Sequence, residues 1–206
     1  MPRRLVIVRI PNSRLRLGPL GEEVIRRRVA DRETTVPSEA WLASYWRKVR
    51  AELIETLTAM RKQATLAGVQ VFQQGVCVSG KQGMKMATEL AALGNRNYGL
   101  VVELTRLGAK LEKTEDARLL SEEYNLLREA IAAPRVENRV AARKAYQARE
   151  KELRAGRDAY IARQIDRILG PDAIGVLFAG PTHDVEKMLP ADIRVTVLRP
   201  ARGRRR

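Results

Sequence analysis

The run Ile174-Gly175-Val176-Leu177-Phe178-Ala179 constrains the fold more than any other stretch of the chain. Every position is apolar, with no polar residue in alternation. A strand of this kind is buried on both faces, as in a parallel sheet covered by helices. Gly180 and Pro181 stop the run, and His183, the only histidine in the protein, follows in Gly180-Pro181-Thr182-His183-Asp184-Val185-Glu186. Such a strand delivers a polar group to its carboxyl end, where open α/β sheets bind ligands.

The remaining pattern supplies a sheet and its cover. Arg3 to Ile10 is rich in valine and isoleucine and reads as a first strand, ended by Pro11-Asn12-Ser13. The loop that follows carries Arg14 and Arg16, and a short helix is expected over 22–30. Ser38 is placed to cap a long amphipathic helix over 38–66, with Trp41, Tyr45, Val49, Leu53 and Leu57 at three- and four-residue spacing. Residues 69–72 read as a short strand, and 76–78 as extended. Helices then run to Gly94, Gly108 and Pro134, the last capped by Thr114. A long helix over 136–169, a short one near 183–188 and a strand over 193–198 complete the pattern. The expectation is a helix-rich α/β domain over 1–198, with a small, mainly parallel sheet of about three to five strands. The segment 136–154 is rich in alanine, arginine, lysine and glutamate, so it is a strong helix by propensity but a poor core element, projecting or lying on the surface. Residues 199–206 form a basic tail.

Composition narrows the class. At 206 residues and 45% hydrophobic the chain supports a real core. No apolar run approaches the ~20 residues of a membrane span. A single cysteine, Cys77, excludes an internal disulfide and fits a reducing, cytoplasmic setting. The net charge of +15 points to an anionic partner, nucleic acid or an acidic protein surface, although an arginine- and alanine-rich protein is also what a GC-rich genome produces.

Among residues that carry chemistry, His183 comes first, as an acid–base group or ligand that Asp184 or Glu186 could orient. The cluster Thr114-Glu115-Asp116 offers carboxylates to act as base or ligand, or simply to cap a helix. His183 with Glu115 or Asp116 would begin a divalent-metal site, but there is no HExxH, no paired histidine and no cysteine set, so the metal is left unspecified. Arg157-Asp158 follows Gly156 inside a helix, where glycine is costly and implies a close approach. Arg157 could hold a carboxylate or phosphate. Asn12, Arg14, Arg16, Asp116, Asp158 and Thr182 are the accompanying substrate-binding candidates. Gly75, four residues and Gly80-Lys81 match the spacing of a phosphate-binding loop, but Gln82 stands where the magnesium-ligating hydroxyl belongs.

Several stretches taken together resemble a family of uncharacterised prokaryotic proteins of about this length: Val6-Ile7-Val8-Arg9-Ile10-Pro11, Phe72 to Gly80, Gly108 to Tyr124, Arg157-Asp158-Ala159-Tyr160-Ile161-Ala162, and Val176 to His183. More remotely, an Arg-Asp before a long helical stretch, then an apolar strand, Gly, two residues and His resembles the TraB/Tiki/ChaN-like group. That resemblance implies metal-dependent proteolysis or other hydrolysis, with His183, Arg157 and Glu115 as site residues. The group usually carries a second Gly-x-x-His after the first strand. Here Pro11-Asn12-Ser13-Arg14 stands in its place, which implies a weakened metal site or a degenerate, non-catalytic member.

Three functions follow. The leading one is a hydrolase-like protein acting on a small or anionic substrate, with His183 as acid–base group or ligand, Glu115 as base or ligand and Arg157 orienting the substrate. The second is a non-catalytic basic module that docks on nucleic acid or an acidic protein through Arg139, Arg143, Lys144 and Arg149 and the tail residues Arg202, Arg204, Arg205 and Arg206. With only 4% aromatic residues, such binding would be sequence-tolerant. The third is a component of a larger assembly or oligomer, contacting its neighbours through 136–154 and through Trp41 or Trp46.

Overall fold

The computed structural model describes residues 2–11, 37–62, 65–132 and 136–198. Five strands, β1 (Arg3–Arg9), β2 (Gln70–Gln73), β3 (Lys110–Glu112), β4 (Ile174–Ala179) and β5 (Ile193–Leu198), form one sheet. Its order is β3-β2-β4-β1-β5 and every pairing is parallel. The helices are α1 (Glu39–Arg61), α2 (Gly80–Ala92), α3 (Arg96–Arg106), α4 (Ala117–Ala132) and α5 (Val136–Ile168), with a short 3-10 helix over Val185–Met188. No helix among the described residues is long and apolar enough to cross a membrane.

The sheet sorts its side chains by strand parity. Val6, Val8, Val71, Val176 and Phe178 face α1, α2 and α3. Leu5, Ile7, Phe72, Leu177 and Ala179 face the carboxyl half of α5. The unbroken apolar run of β4 is thus buried on both sides. In α1, Leu42, Trp46, Val49, Leu53 and Leu57 make the buried stripe, each worth about 1.5–3 kcal/mol on burial. Ser38 caps that helix, its hydroxyl accepting the Trp41 N–H at 3.2 Å.

Right-handed crossovers determine where the chain goes at each strand end. The chain leaves β1 and β2 for the α1–α3 face, and leaves β3 and β4 for the α5 face. Neighbours β2 and β4 therefore send their chains to opposite faces at their carboxyl ends, the strand arrangement at which open α/β sheets bind ligands.

The structure adds to the expected pattern and alters it in places. β3 is a three-residue edge strand, too short for periodicity to reveal, and 76–78 is irregular. α1 stops at Arg61, where Lys62 takes a left-handed conformation with φ 56°. The 136–154 segment is not wholly solvated: Tyr146 packs with Leu127 and Leu126 of α4, and Leu153 is 2% exposed. Arg149 ties the two helices by donating to Glu122 of α4 at 2.7 Å, and also pairs with Glu152 of its own helix. The helix before Ser38 and the tail lie outside the described residues.

Two glycines invite opposite outcomes. A Cβ on Gly83 would lie 2.6 Å from the Val78 carbonyl oxygen, so Gly83→Ala should destabilise by about 1–3 kcal/mol. A Cβ on Gly156 would sit 3.6 Å from a Leu119 methyl, an ordinary contact, so no close approach requires this glycine. Gly156→Ala should stabilise by about 0.5–1 kcal/mol. Urea denaturation of the two variants checks both signs.

Candidate functional site

His183 is 3% exposed and sits in the turn after β4. Its Nδ1 pairs with Asp158 of α5, and its Nε2 lies 2.7 Å from the Gln74 side-chain nitrogen at the end of β2. The hydrogen-bond pattern sets the tautomer. Gln74 Oε1 accepts the Gly180 N–H at 2.8 Å, so the Gln74 amide nitrogen is the donor to His183 Nε2. The ring hydrogen is then on Nδ1, donated to one Asp158 oxygen, while the other accepts the Asp184 N–H at 2.9 Å. Asp158 orients the histidine. The Asp184 carboxylate instead pairs with Lys187 and Glu186 with Arg9, so neither plays that part. Arg9 also donates to the His183 carbonyl at 2.7 Å, tethering the turn to β1.

One residue earlier on α5, Arg157 meets two carboxylates. Its Nε donates to Glu115 at 3.0 Å, one terminal nitrogen completes a fork on the same carboxylate, and the other pairs with Glu123 of α4. Glu115 is fully buried and Arg157 is 5% exposed. Burial works against the Arg157 charge, but the bonds and fields of Glu115 and Glu123 outweigh it and hold its pKa above the ordinary value. Its charge is therefore engaged by the protein's own acids and is not directed at a substrate anion. Cys77, nearby, has its thiol pushed up by burial and then by the Glu115 charge, so it is a weak nucleophile.

The expected residues thus converge in part. His183, Asp158, Arg157 and Glu115 form two adjoining buried networks at the carboxyl edge. Asp116 does not face them. It caps α4, its carboxylate accepting the Arg118 N–H at 2.8 Å and the Leu119 N–H at 3.2 Å, and those bonds lower its pKa. The cap expected at Thr114 is therefore at Asp116, while the Thr114 hydroxyl accepts the Gln73 N–H and donates to the Glu112 carbonyl. Thr182 is exposed on the turn. Asn12, Arg14, Arg16, Arg202, Arg204, Arg205 and Arg206, and the side chain of Arg139, lie outside the described residues. Gln74 and Arg9 were not singled out from sequence. Gln74 and Arg9 are polar residues at strand ends, which is the one signal they give.

The donor set does not fit a divalent ion. Both ring nitrogens of His183 and both oxygens of Glu115 have protein partners. Among the described residues no group of three or more histidine, cysteine, aspartate or glutamate side chains is placed to hold a metal.

Comparison of the chain with protein-family models, with curated proteins and with solved structures finds no match.

Arg157→Met removes the cation that, among the described residues, pairs with the fully buried Glu115 carboxylate. It should cost about 3–5 kcal/mol in urea unfolding at neutral pH, because Glu115 is left buried without a counter-charge. Glu123→Gln, at a partly solvated carboxylate, should cost much less.

Proposed function

We propose that the chain is a hydrolase-like protein acting on a small substrate at the carboxyl edge of its sheet, with His183 as the acid–base group. The observation that carries this reading is the buried Asp158–His183 pair, set where β2 and β4 diverge. An aspartate behind a histidine fixes the tautomer, leaves the far ring nitrogen as acceptor and stabilises the imidazolium once a proton has been taken. Here the acceptor is Nε2, so a water or substrate proton would be taken there once the Gln74 amide moves aside. Arg157 and Glu115 act as positioning groups: their pairing anchors the part of α5 that presents Asp158. The resemblance of Arg157-Asp158 and Gly180-Pro181-Thr182-His183 to the TraB/Tiki/ChaN-like group supports the same reaction class, without its metal. A panel of chromogenic esters, anilides and phosphate esters tests it. At least one should be turned over, with His183→Gln and Asp158→Asn folded and slower by about 10²–10⁴-fold. No turnover above the protein-free rate, or full activity in folded variants, refutes the reading.

A second reading, a basic module docking on nucleic acid, is favoured by the exposed side chains of Arg143, Lys144 and Lys151 on α5, the helix that packs its apolar side on α4. Binding of a random-sequence duplex should then weaken steeply between about 50 and 200 mM salt. Replacing Arg143, Lys144 and Lys151 by glutamine should flatten that dependence. A wild-type affinity that does not change with salt rules the reading out.

A further inference from the structure

Gln74 joins two groups of the same turn through one planar side chain. Its oxygen accepts from the Gly180 N–H at 2.8 Å and its nitrogen donates to His183 Nε2 at 2.7 Å. The Gly180 N–H offers only a donor. His183 Nε2 offers only a lone pair, because Asp158 fixes the ring hydrogen on Nδ1. The turn therefore presents a donor and an acceptor at the spacing of an amide's own oxygen and nitrogen. A carboxylate has two acceptors and would set one against the Nε2 lone pair of the neutral ring. An ammonium or guanidinium has only donors and would leave the Gly180 N–H unsatisfied. A primary carboxamide satisfies both.

Gln74 is half-buried, and its main chain is held independently of its side chain. Its N–H donates to the Phe178 carbonyl at 2.9 Å and its carbonyl accepts the Tyr98 hydroxyl at 3.4 Å. Rotation of the side chain alone would vacate the position, leaving the strand in place. Glutamine regains rotamer freedom when released. Pro181 and Thr182, between the two anchoring residues, are exposed, while Gly180 and His183 themselves are buried.

We propose that the His183 corner is a carboxamide-binding site, and that the Gln74 side chain occupies it in place of the ligand. The proposal rests on reading His183 as the reactive group, and it names the ligand class of that site. The Gly180 N–H would hold the carbonyl oxygen, and His183 Nε2 would face the amide N–H.

The test uses Gln74→Ala, isotope-labelled and titrated with acetamide and, separately, with acetate at matched ionic strength. NMR follows the ring nitrogens of the single histidine and the Gly180 amide. Acetamide should shift both signals saturably, with an affinity at least tenfold higher than in the wild-type protein, where Gln74 competes. Acetate should not. Titration runs to about 0.5 M, since a ligand of four heavy atoms binds weakly. No saturable shift, equal responses in variant and wild type, or acetate binding as well as acetamide overturns the proposal. Gln74→Ser is titrated in parallel. Failure of both variants to fold also overturns it, because Gln74 would then be an indispensable strut. Turnover is not read in this experiment, so failure of the hydrolase reading alone would leave the shifts intact.

Discussion

Charged groups taken out of water need partners, and α5 brings two of them inside at consecutive positions. Residues one apart on a helix point about 100° from each other. Arg157 therefore turns toward α4 and the loop after β3, where Glu115 and Glu123 wait, while Asp158 turns toward the end of β4 and meets His183 and the Asp184 N–H. Neither can be satisfied unless the helix has the right rotation and the right height against the sheet. The apolar contacts of Ile161, Ile165 and Leu169 hold the helix on the sheet. The paired charges fix its register, and so fix the tautomer and direction of the histidine.

The charge of the corner runs against that of the chain. The protein carries +15 overall, yet Arg157 is outnumbered by Glu115, Glu123 and Asp158, and Arg9 is matched by Glu186. The surplus cations that the structure shows, such as Lys144 and Lys151, are exposed on α5 away from His183. The exposed cations and the buried Asp158 that orients His183 thus occupy different parts of one helix.

Much of this was legible in the sequence, for physical reasons that differ by element. β4 announced itself because a strand buried on both faces has no polar alternation. The parallel α/β class followed from strands spaced by helices. His183, Arg157, Asp158 and Glu115 stood out because charge near apolar runs is costly and so noticeable. Which acid meets which base was not legible, since pairing is decided across the fold: Asp158, 25 residues away, orients His183, while neighbouring Asp184 turns to Lys187. Gly156 misled because its helical position suggested crowding, whereas it faces the side chain of Leu119 at ordinary distance. Gln74 stayed hidden because glutamine at a strand end is unremarkable until its two partners are seen.

The sheet's strand order also governs the order in which the protein can assemble. β4 pairs with β1 on one side and β2 on the other, and β1 pairs otherwise only with β5. Arg4 meets Ile174, and Arg3 meets Ile193. While the chain is being synthesised, β2 and β3 can pair, but among the described strands β1 finds no partner until β4 has appeared. Such distant pairings pay their loop-closure entropy before they return any contact, which slows folding. Among the described strands β1 waits for β4 and β5, and the backbone of its run Leu5-Val6-Ile7-Val8 has no strand partner in that interval, when β-prone segments are most open to wrong pairing.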